Sequence, residues 1–527
     1  MVEYLFEVLR SKTGASLRGP AVAPSYAAVR FRSPTGRDEQ PVVRPLPVSE
    51  VVPQDRPLRT LVRGTTPFGS VKCASGEPRA VTGNVRRAAA YAVVGSLALV
   101  VPLLAGRGLA PTTTAGVAAL PFLLVGLAAL YVVNEGPLFD LLARPGDYEA
   151  GRLFGLAAFA FACAGLALLV TLEQFGLPPA AFVASVAVLV VGNVVAEAVQ
   201  FRASEPVVVT AAFAVGGLLA GIGGFLAVGS ILGGRLALPA AAFLAATGAL
   251  GAALLRTALF KRDDPLVLVS VALLLWGFLE LGVAPSGARV GVGIGVSVLL
   301  GYVAFALGTA SLTGMLTGVL LALLAIVLGG YGWFALLITF FGLGGLASKL
   351  RYEEKRERGI AEENEGARGG GNVLANAAVA LVAVVLFAAS ARVGVPPGLF
   401  RYAFAGSIAA AMADTFSSEI GGLFDGPRLI TTLRRVEPGT DGAITWQGQV
   451  AGVLGAAVIA GIAAVFFDLT PVPTAVIVGG GFAGTIADSL LGATLEGSLL
   501  GNESVNLLAT LAGAVTSAGL ALGLGLV

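Results

Sequence analysis

The ionisable residues that could do chemistry in this chain gather in two short runs. These are Asp414-Thr-Phe-Ser-Ser-Glu419 and Asp488-Ser-Leu-Leu-Gly-Ala-Thr-Leu-Glu496. Each closes a long apolar stretch, where a charged side chain is costly and marks a functional site by default. Asp414 and Glu419 are five apart, about 140° around an ideal helix. They can edge one cleft only if the helix ends nearby, and Gly421-Gly422 favours such an end. Asp488 and Glu496 are eight apart and fall close to one face. Carboxylates from two helices beside a basic loop suit a Mg²⁺–phosphate site. Mg²⁺ takes one or two carboxylates and completes its shell with phosphate oxygens. Asp414, Glu419 and Asp488 are therefore the expected catalytic carboxylates and metal ligands. The sequence contains no histidine, which excludes imidazole bases, His-based triads and His-ligated zinc. Its two cysteines, Cys73 and Cys163, make no disulfide framework.

A phosphate substrate also needs donors. The segment 425–447 is punctuated by glycine and proline, so it reads as an ordered loop. Arg428, Thr432, Arg434 and Arg435 offer phosphate contacts there, as does the turn Gly439-Thr440-Asp441-Gly442. Lys349 and Arg351 sit where a span ends and are placed to reach a phosphate. The remainder of Lys349–Arg358 alternates charge with i,i+4 pairs and reads as a solvated helix. Gly369-Gly-Gly371 leads directly into Asn372, and a helix N-terminus after glycines can bind anions. Asn372, Asn376, Ser489 and Asn506 complete the polar set expected to meet substrate or nucleotide.

These residues must be positioned by membrane helices. Hydrophobic residues make up 56% of the chain and charged residues 13%, too few charges to coat a soluble protein of 527 residues. The apolar residues come in runs of about twenty, the length a helix needs to cross the hydrocarbon core. The expected architecture is an all-α polytopic bundle of roughly fifteen spans. Residues 1–80, rich in Pro and Arg, are expected to be a disordered or spurious extension. Residues 81–312 hold about eight spans. Residues 313–527 hold seven more, with loops at 348–372 and 420–447. Arginine and lysine crowd alternate loops, which by the positive-inside rule puts the N-terminus in the cytoplasm and the C-terminus outside. Arg401 lies on the sparsely charged outer side. Asn193, Glu197 and Glu280 are isolated polar groups in the first eight spans, expected to pair between helices. There is no basic stripe interleaved with aromatics, so no nucleic-acid partner is expected.

The C-terminal half repeats itself. Gly314-Met-Leu-Thr-Gly-Val-Leu320 resembles Gly448-Gln-Val-Ala-Gly-Val-Leu454, and Asn372 leads an apolar run as Asn506 does; both offsets are 134 (448 − 314; 506 − 372). Four spans fit in that offset, so the repeat is expected to be parallel. A second match joins Gly406-Ser-Ile-Ala-Ala-Ala-Met-Ala-Asp414 to Gly480-Gly-Phe-Ala-Gly-Thr-Ile-Ala-Asp488.

Taken in order, Gly345-Leu-Ala-Ser-Lys349, Asn372-Val-Leu-Ala-Asn376, Ala413-Asp-Thr-Phe-Ser-Ser-Glu-Ile-Gly421, Pro427-Arg-Leu-Ile-Thr-Thr432, Pro438-Gly-Thr-Asp-Gly442 and Ala487-Asp-Ser-Leu-Leu-Gly-Ala493 resemble a known family. It is the integral membrane family of transmembrane protein 19, also called domain of unknown function 92. The match covers the stretch from about Gly314 onward. Plant members of that family look like phytyl-phosphate kinases and are similar to CTP-dependent dolichol and phytol kinases. The resemblance implies transfer of a phosphoryl group from a nucleoside triphosphate, CTP foremost, to an isoprenyl monophosphate. A membrane transporter or lipid flippase is the alternative, because internal repeats near polar residues also occur there. A prenyl or CDP-alcohol transferase ranks last, since it needs denser Asp motifs.

Overall fold

The computed structural model describes residues 78–527, apart from 106, 108–110, 173, 235, 259–263, 308–309 and 361–369. The expectations for residues 1–77 lie outside the described residues. In the N-terminal region, α1 (Pro78–Ser96) runs through a short 3-10 turn into α2 (Val100–Ala105). It is followed by α3 (Pro111–Tyr131), the short α4 (Pro137–Leu142) and α5 (Pro145–Ala150), and then α6 (Phe154–Thr171). The longer α7 (Pro179–Gln200), α8 (Pro206–Leu232), α9 (Leu238–Ala258), α10 (Asp264–Leu281) and α11 (Gly287–Leu307) complete it. The C-terminal region comprises α12 (Leu312–Leu324), extended by a π turn to Gly329, α13 (Tyr331–Lys349), the short α14 (Tyr352–Glu357) and α15 (Gly370–Ala388). After the short α16 (Ser390–Val393) come α17 (Pro397–Gly421), α18 (Trp446–Phe467), α19 (Pro471–Leu495) and α20 (Asn502–Gly523).

Fourteen of the described helices are long and apolar enough to span a bilayer. The fifteenth expected span falls on α17. Its 25 residues reach roughly 37 Å at 1.5 Å per residue. Arg401, Asp414, Glu419 and several hydroxyls make it too polar to join the fourteen. Proline at the first helical position starts α7, α8, α17 and α19, where its missing N–H costs no hydrogen bond.

The described residues fall in one compact unit. In the N-terminal region, Arg144 and Asp264 form a shielded ion pair at 2.5 Å, and the guanidinium lies 5.2 Å from the centre of the Tyr91 ring. Three segments distant in sequence are tied there. Glu280 pairs with Arg392 at 3.2 Å, as expected of an isolated charge on a span. Asn193 departs from that expectation, because its buried Oδ1 has no hydrogen-bond partner.

The C-terminal region is held together by glycines. α17 packs on α15, α18, α19 and α20. A Cβ at Gly513 of α20 would stand 2.6 Å from the Ala410 Cβ and 2.7 Å from the Gly406 carbonyl. Gly406 of α17 and Gly480 of α19 both abut Ser517 and Gly513, leaving no room for a side chain. The two matching sequences therefore lie against one stretch of α20. Each aspartate follows its glycine by eight residues, about 12 Å of helical rise. This common origin brings Asp414 and Asp488 to the same level.

The 134-residue repeat has a local structural counterpart. Ser311 Oγ accepts from the Gly314 N–H at 3.1 Å, and Thr445 Oγ1 accepts from the Gly448 N–H at 3.1 Å. The capped helices begin at Leu312 and Trp446, again 134 apart (446 − 312).

Candidate active site

A cavity of about 470 Å³ opens where α17 and α19 end and where α15, α18 and α20 begin. Its walls follow from that arrangement. The first two turns of α15 and α20 contribute Asn372, Asn376, Asn502 and Asn506. The N-cap of α18 contributes Thr445. The last turns of α17 bring Asp414 and Glu419, and those of α19 bring Asp488, Ser489 and Glu496. Helix N-termini carry partial positive charge and unpaired N–H groups, whereas C-termini carry partial negative charge. The cavity thus has an anion-attracting side built from three helix starts. Its cation-attracting side is built from two helix ends, each armed with carboxylates.

Asp414 and Asp488 lie within hydrogen-bonding reach of each other. Two carboxylates this close cannot both stay ionised cheaply unless a proton or a cation lies between them. Glu496 stands just past α19. Burial, then the neighbouring charges of Asp441 and Asp488, push its carboxyl above the ordinary range.

Among the described residues Lys355 is the one cation that lines this cavity. Arg351 adopts a left-handed backbone (φ 49°), which turns α14 back beneath the end of α13. The Lys355 Nζ then donates to the Ala347 carbonyl at 2.8 Å, to the Ser348 carbonyl at 3.2 Å and to Glu419 Oε2 at 2.5 Å. An ammonium has three donors, and all three are engaged. Lys355 fastens Glu419 and the C-terminus of α13 and keeps no N–H for a substrate. Sequence reasoning had set this residue aside as part of a solvated helix.

The loop between α17 and α18 is clamped over the carboxylates. Strands β1 (Arg428–Leu429) and β2 (Ala443–Ile444) pair antiparallel, Arg428 opposite Ile444. Gly442 (φ 72°) presses against α19, where a Cβ would clash with the Ser489 carbonyl and the Ala493 backbone nitrogen. The Thr445 hydroxyl, besides capping α18, donates to the Gly421 carbonyl at 3.3 Å. One side chain thereby joins the end of α17 to the start of α18.

Of the residues singled out from sequence, Asp414, Glu419 and Asp488 line this cavity. So do Asn372, Asn376, Ser489 and Asn506, and the turn residues Gly439, Thr440 and Gly442. The cationic residues depart from expectation. Lys349, Thr432, Arg434 and Arg435 are exposed and do not line the cavity. Arg428 is exposed as well, and its guanidinium donates to the Leu433 carbonyl of its own loop at 2.7 Å. The hairpin turns these side chains outward, away from the carboxylates. The expected three-carboxylate metal cluster is likewise reduced. Among the described residues no group of three or more His, Cys, Asp or Glu is placed to hold an ion, because Glu419 is engaged with Lys355 while Asp414 and Asp488 pair with each other. Asn502 lines the cavity but is not among the residues singled out from sequence. Asp441, which also lines it, sits inside the Gly439–Gly442 turn read from sequence; nothing local marks Asn502.

Comparison with known proteins bears on the same segment. The family model described as "Integral membrane protein DUF92" matches residues 295–514. The chain is 44% identical to the uncharacterized membrane protein MJ0933 of Methanocaldococcus jannaschii over 190 residues, covering 35% of this chain and 75% of that protein. It is 30% identical to the chloroplastic protein VTE6 of Arabidopsis thaliana over 203 residues, covering 38% of this chain and 61% of that protein. Similarity to the uncharacterized membrane protein sll0875 of Synechocystis is 30% over 206 residues, covering 37% and 77%. No solved structure matches the chain.

Proposed function

The chain belongs to the DUF92 family of integral membrane proteins, and on that premise we propose that it is a multi-pass membrane kinase of isoprenyl monophosphates. The donor is a nucleoside triphosphate, CTP foremost. The acceptor is an isoprenyl monophosphate such as phytyl or geranylgeranyl phosphate, and the product is its diphosphate. The cavity faces the cytoplasm, following the distribution of arginine and lysine among the loops.

The observation that carries this reading is the meeting of helix starts and carboxylate-bearing helix ends in one cavity. A polyphosphate with its cation needs both. The donor set consists of oxygens from Asp414, Asp488 and nearby amides, and it fits Mg²⁺, which prefers hard oxygen ligands and few carboxylates. When bound, Mg²⁺ supplies charge neutralisation across the transferring phosphoryl group. Among the described residues Lys355 is saturated and Arg428, Arg434 and Arg435 are exposed, so no other cation of the cavity wall supplies that neutralisation. The first turns of α15, α18 and α20 offer N–H groups to the phosphate oxygens. The asparagines of α15 and α20 orient the chain of phosphates.

The phosphoryl group passes from the nucleotide to a terminal oxygen of the acceptor phosphate, leaving a nucleoside diphosphate. A phosphate acceptor is already ionised near neutral pH and needs no general base, consistent with a chain without histidine. Asp414 and Asp488 each lie seven residues before their helix ends, at Gly421 and Leu495 (421 − 414; 495 − 488). Carboxylates near helix ends beside a polar loop support the kinase over a transporter, which would carry them at mid-span. The direct test supplies the purified full chain with Mg²⁺, each of CTP, ATP, GTP and UTP, and geranylgeranyl or phytyl phosphate. Formation of the isoprenyl diphosphate supports the proposal. Unchanged substrate with all four nucleotides, beside an active lipid-kinase control, refutes it.

A further inference from the structure

A second cavity lies at the opposite end of the same helices. Its volume is about 160 Å³, and Arg401 and Tyr402 line it together with Phe467, Leu469, Ile477 and Leu526. Arg401 is four residues from the start of α17, whereas the carboxylate site is near that helix's end. Phe467 closes α18 and Leu526 follows α20, whereas the other cavity meets the starts of both. The two cavities therefore occupy opposite rims of the helix bundle.

Arg401 has an unusual position. Its Nε is buried and has no hydrogen-bond partner. Among the described residues no carboxylate forms an ion pair with it. A buried N–H left unpaired is costly, and Arg401 as a whole is only half-buried, so the rest of its guanidinium stays open to a ligand. The space fits a small anionic group, since it equals about five waters at roughly 30 Å³ each. Large apolar side chains stand exposed at the same ends of α18 and α20, among them Val465, Phe466, Leu522 and Leu524. In a bilayer these face acyl chains.

We propose that this cavity binds the phosphate headgroup of an anionic membrane lipid, with Arg401 as the principal contact. The guanidinium presents a planar fork of donors that matches phosphate oxygens. The Tyr402 ring and the leucine, isoleucine and phenylalanine walls take the adjoining glycerol and first methylenes. By the same arginine distribution that orients the kinase site, this lipid belongs to the outer leaflet. Neither its recognition nor its test depends on the kinase reading.

The test uses the full chain, stripped of lipid in detergent, with three additions: phosphatidylglycerol, phosphatidylcholine of the same acyl chains, and inorganic phosphate. Native mass spectrometry reads retained lipid, and thermal unfolding reads stabilisation. Phosphatidylglycerol is expected to be retained over phosphatidylcholine and to raise the unfolding temperature. Arg401→Gln should weaken that binding roughly tenfold or more, while Arg401→Lys keeps the charge and retains part of it. The lysine variant also guards against a fold defect in the glutamine variant. Equal retention of the two lipids, or equal response of wild type and Arg401→Gln, overturns the proposal. Full stabilisation by inorganic phosphate alone, with no preference between the lipids, overturns the lipid assignment.

Discussion

Replacing Lys355 by methionine should be among the most damaging single changes in the C-terminal region. Lys355 is 1% exposed and Glu419 8% exposed, and their charged atoms are 2.5 Å apart. Removing the ammonium strands a buried carboxylate, a loss of about 3–5 kcal/mol. It also leaves the Ala347 and Ser348 carbonyls without this donor, roughly 1–3 kcal/mol each where water cannot enter. Glu419→Gln keeps a polar group of the same shape beside the ammonium and should cost less, about 1–3 kcal/mol. The double variant Lys355→Met/Glu419→Gln removes both charges at once and should regain part of the sum. The expected coupling is therefore about 2 kcal/mol or more in the direction of recovery. Equilibrium unfolding of the wild type, both single variants and the double variant in one detergent measures it. Additivity within about 0.5 kcal/mol would show that the two side chains do not depend on each other. The account of Lys355 as the fastener of Glu419 would then be wrong.

Three further outcomes follow from the same geometry. Asp414→Asn and Asp488→Asn should each lower isoprenyl-diphosphate formation on the order of 10²-fold or more with the fold intact, read by product mass spectrometry and circular dichroism. Gly484→Val should cost about 1–3 kcal/mol by overpacking, because its new side chain meets Ala410 of α17 and the Ala509 carbonyl of α20; an unchanged unfolding midpoint would contradict the close glycine crossing. Glu496 gives a pH signature. Burial first, then Asp441 and Asp488, raise its pKa above the ordinary 4.5, so the folded protein holds a proton that the unfolded chain releases. Stability should fall as pH rises from about that ordinary value through the raised one, and Glu496→Gln should flatten the slope. Melts across the acidic range at constant ionic strength decide it; parallel profiles for the two proteins would count against the assignment.

Much of the site could be read from the chain because its logic is local. The small-residue runs before Asp414 and Asp488 specify close helix crossings, and equal spacing from glycine to aspartate carries over into equal depth. Gly421-Gly422 ends α17 where the sequence suggests, and the asparagines at the starts of two helices lie where a repeat of 134 places them. The cations escaped that logic. Lys355 reaches Glu419 across 64 positions, through a left-handed residue at Arg351 that no pattern announces. Its mixed-charge neighbours disguise it as a solvated residue. Arg428, Arg434 and Arg435 are near the site in sequence, but the pairing of two short strands, Arg428–Leu429 and Ala443–Ile444, decides which side of the loop faces the carboxylates. Composition cannot report that choice. The polar character of α17 marks it in the sequence as the site helix, and the same charges set this expected span apart from the fourteen more apolar helices.

The central claim is that Asp414 and Asp488 bind a divalent cation jointly with a nucleotide polyphosphate. Mn²⁺ binding to the purified full chain, followed by electron paramagnetic resonance with and without CTP, tests it most directly. The account predicts Mn²⁺ binding that CTP strengthens in the wild type and that is lost in the Asp414→Asn/Asp488→Asn variant. Equal Mn²⁺ binding in wild type and variant, with CTP present, would contradict it.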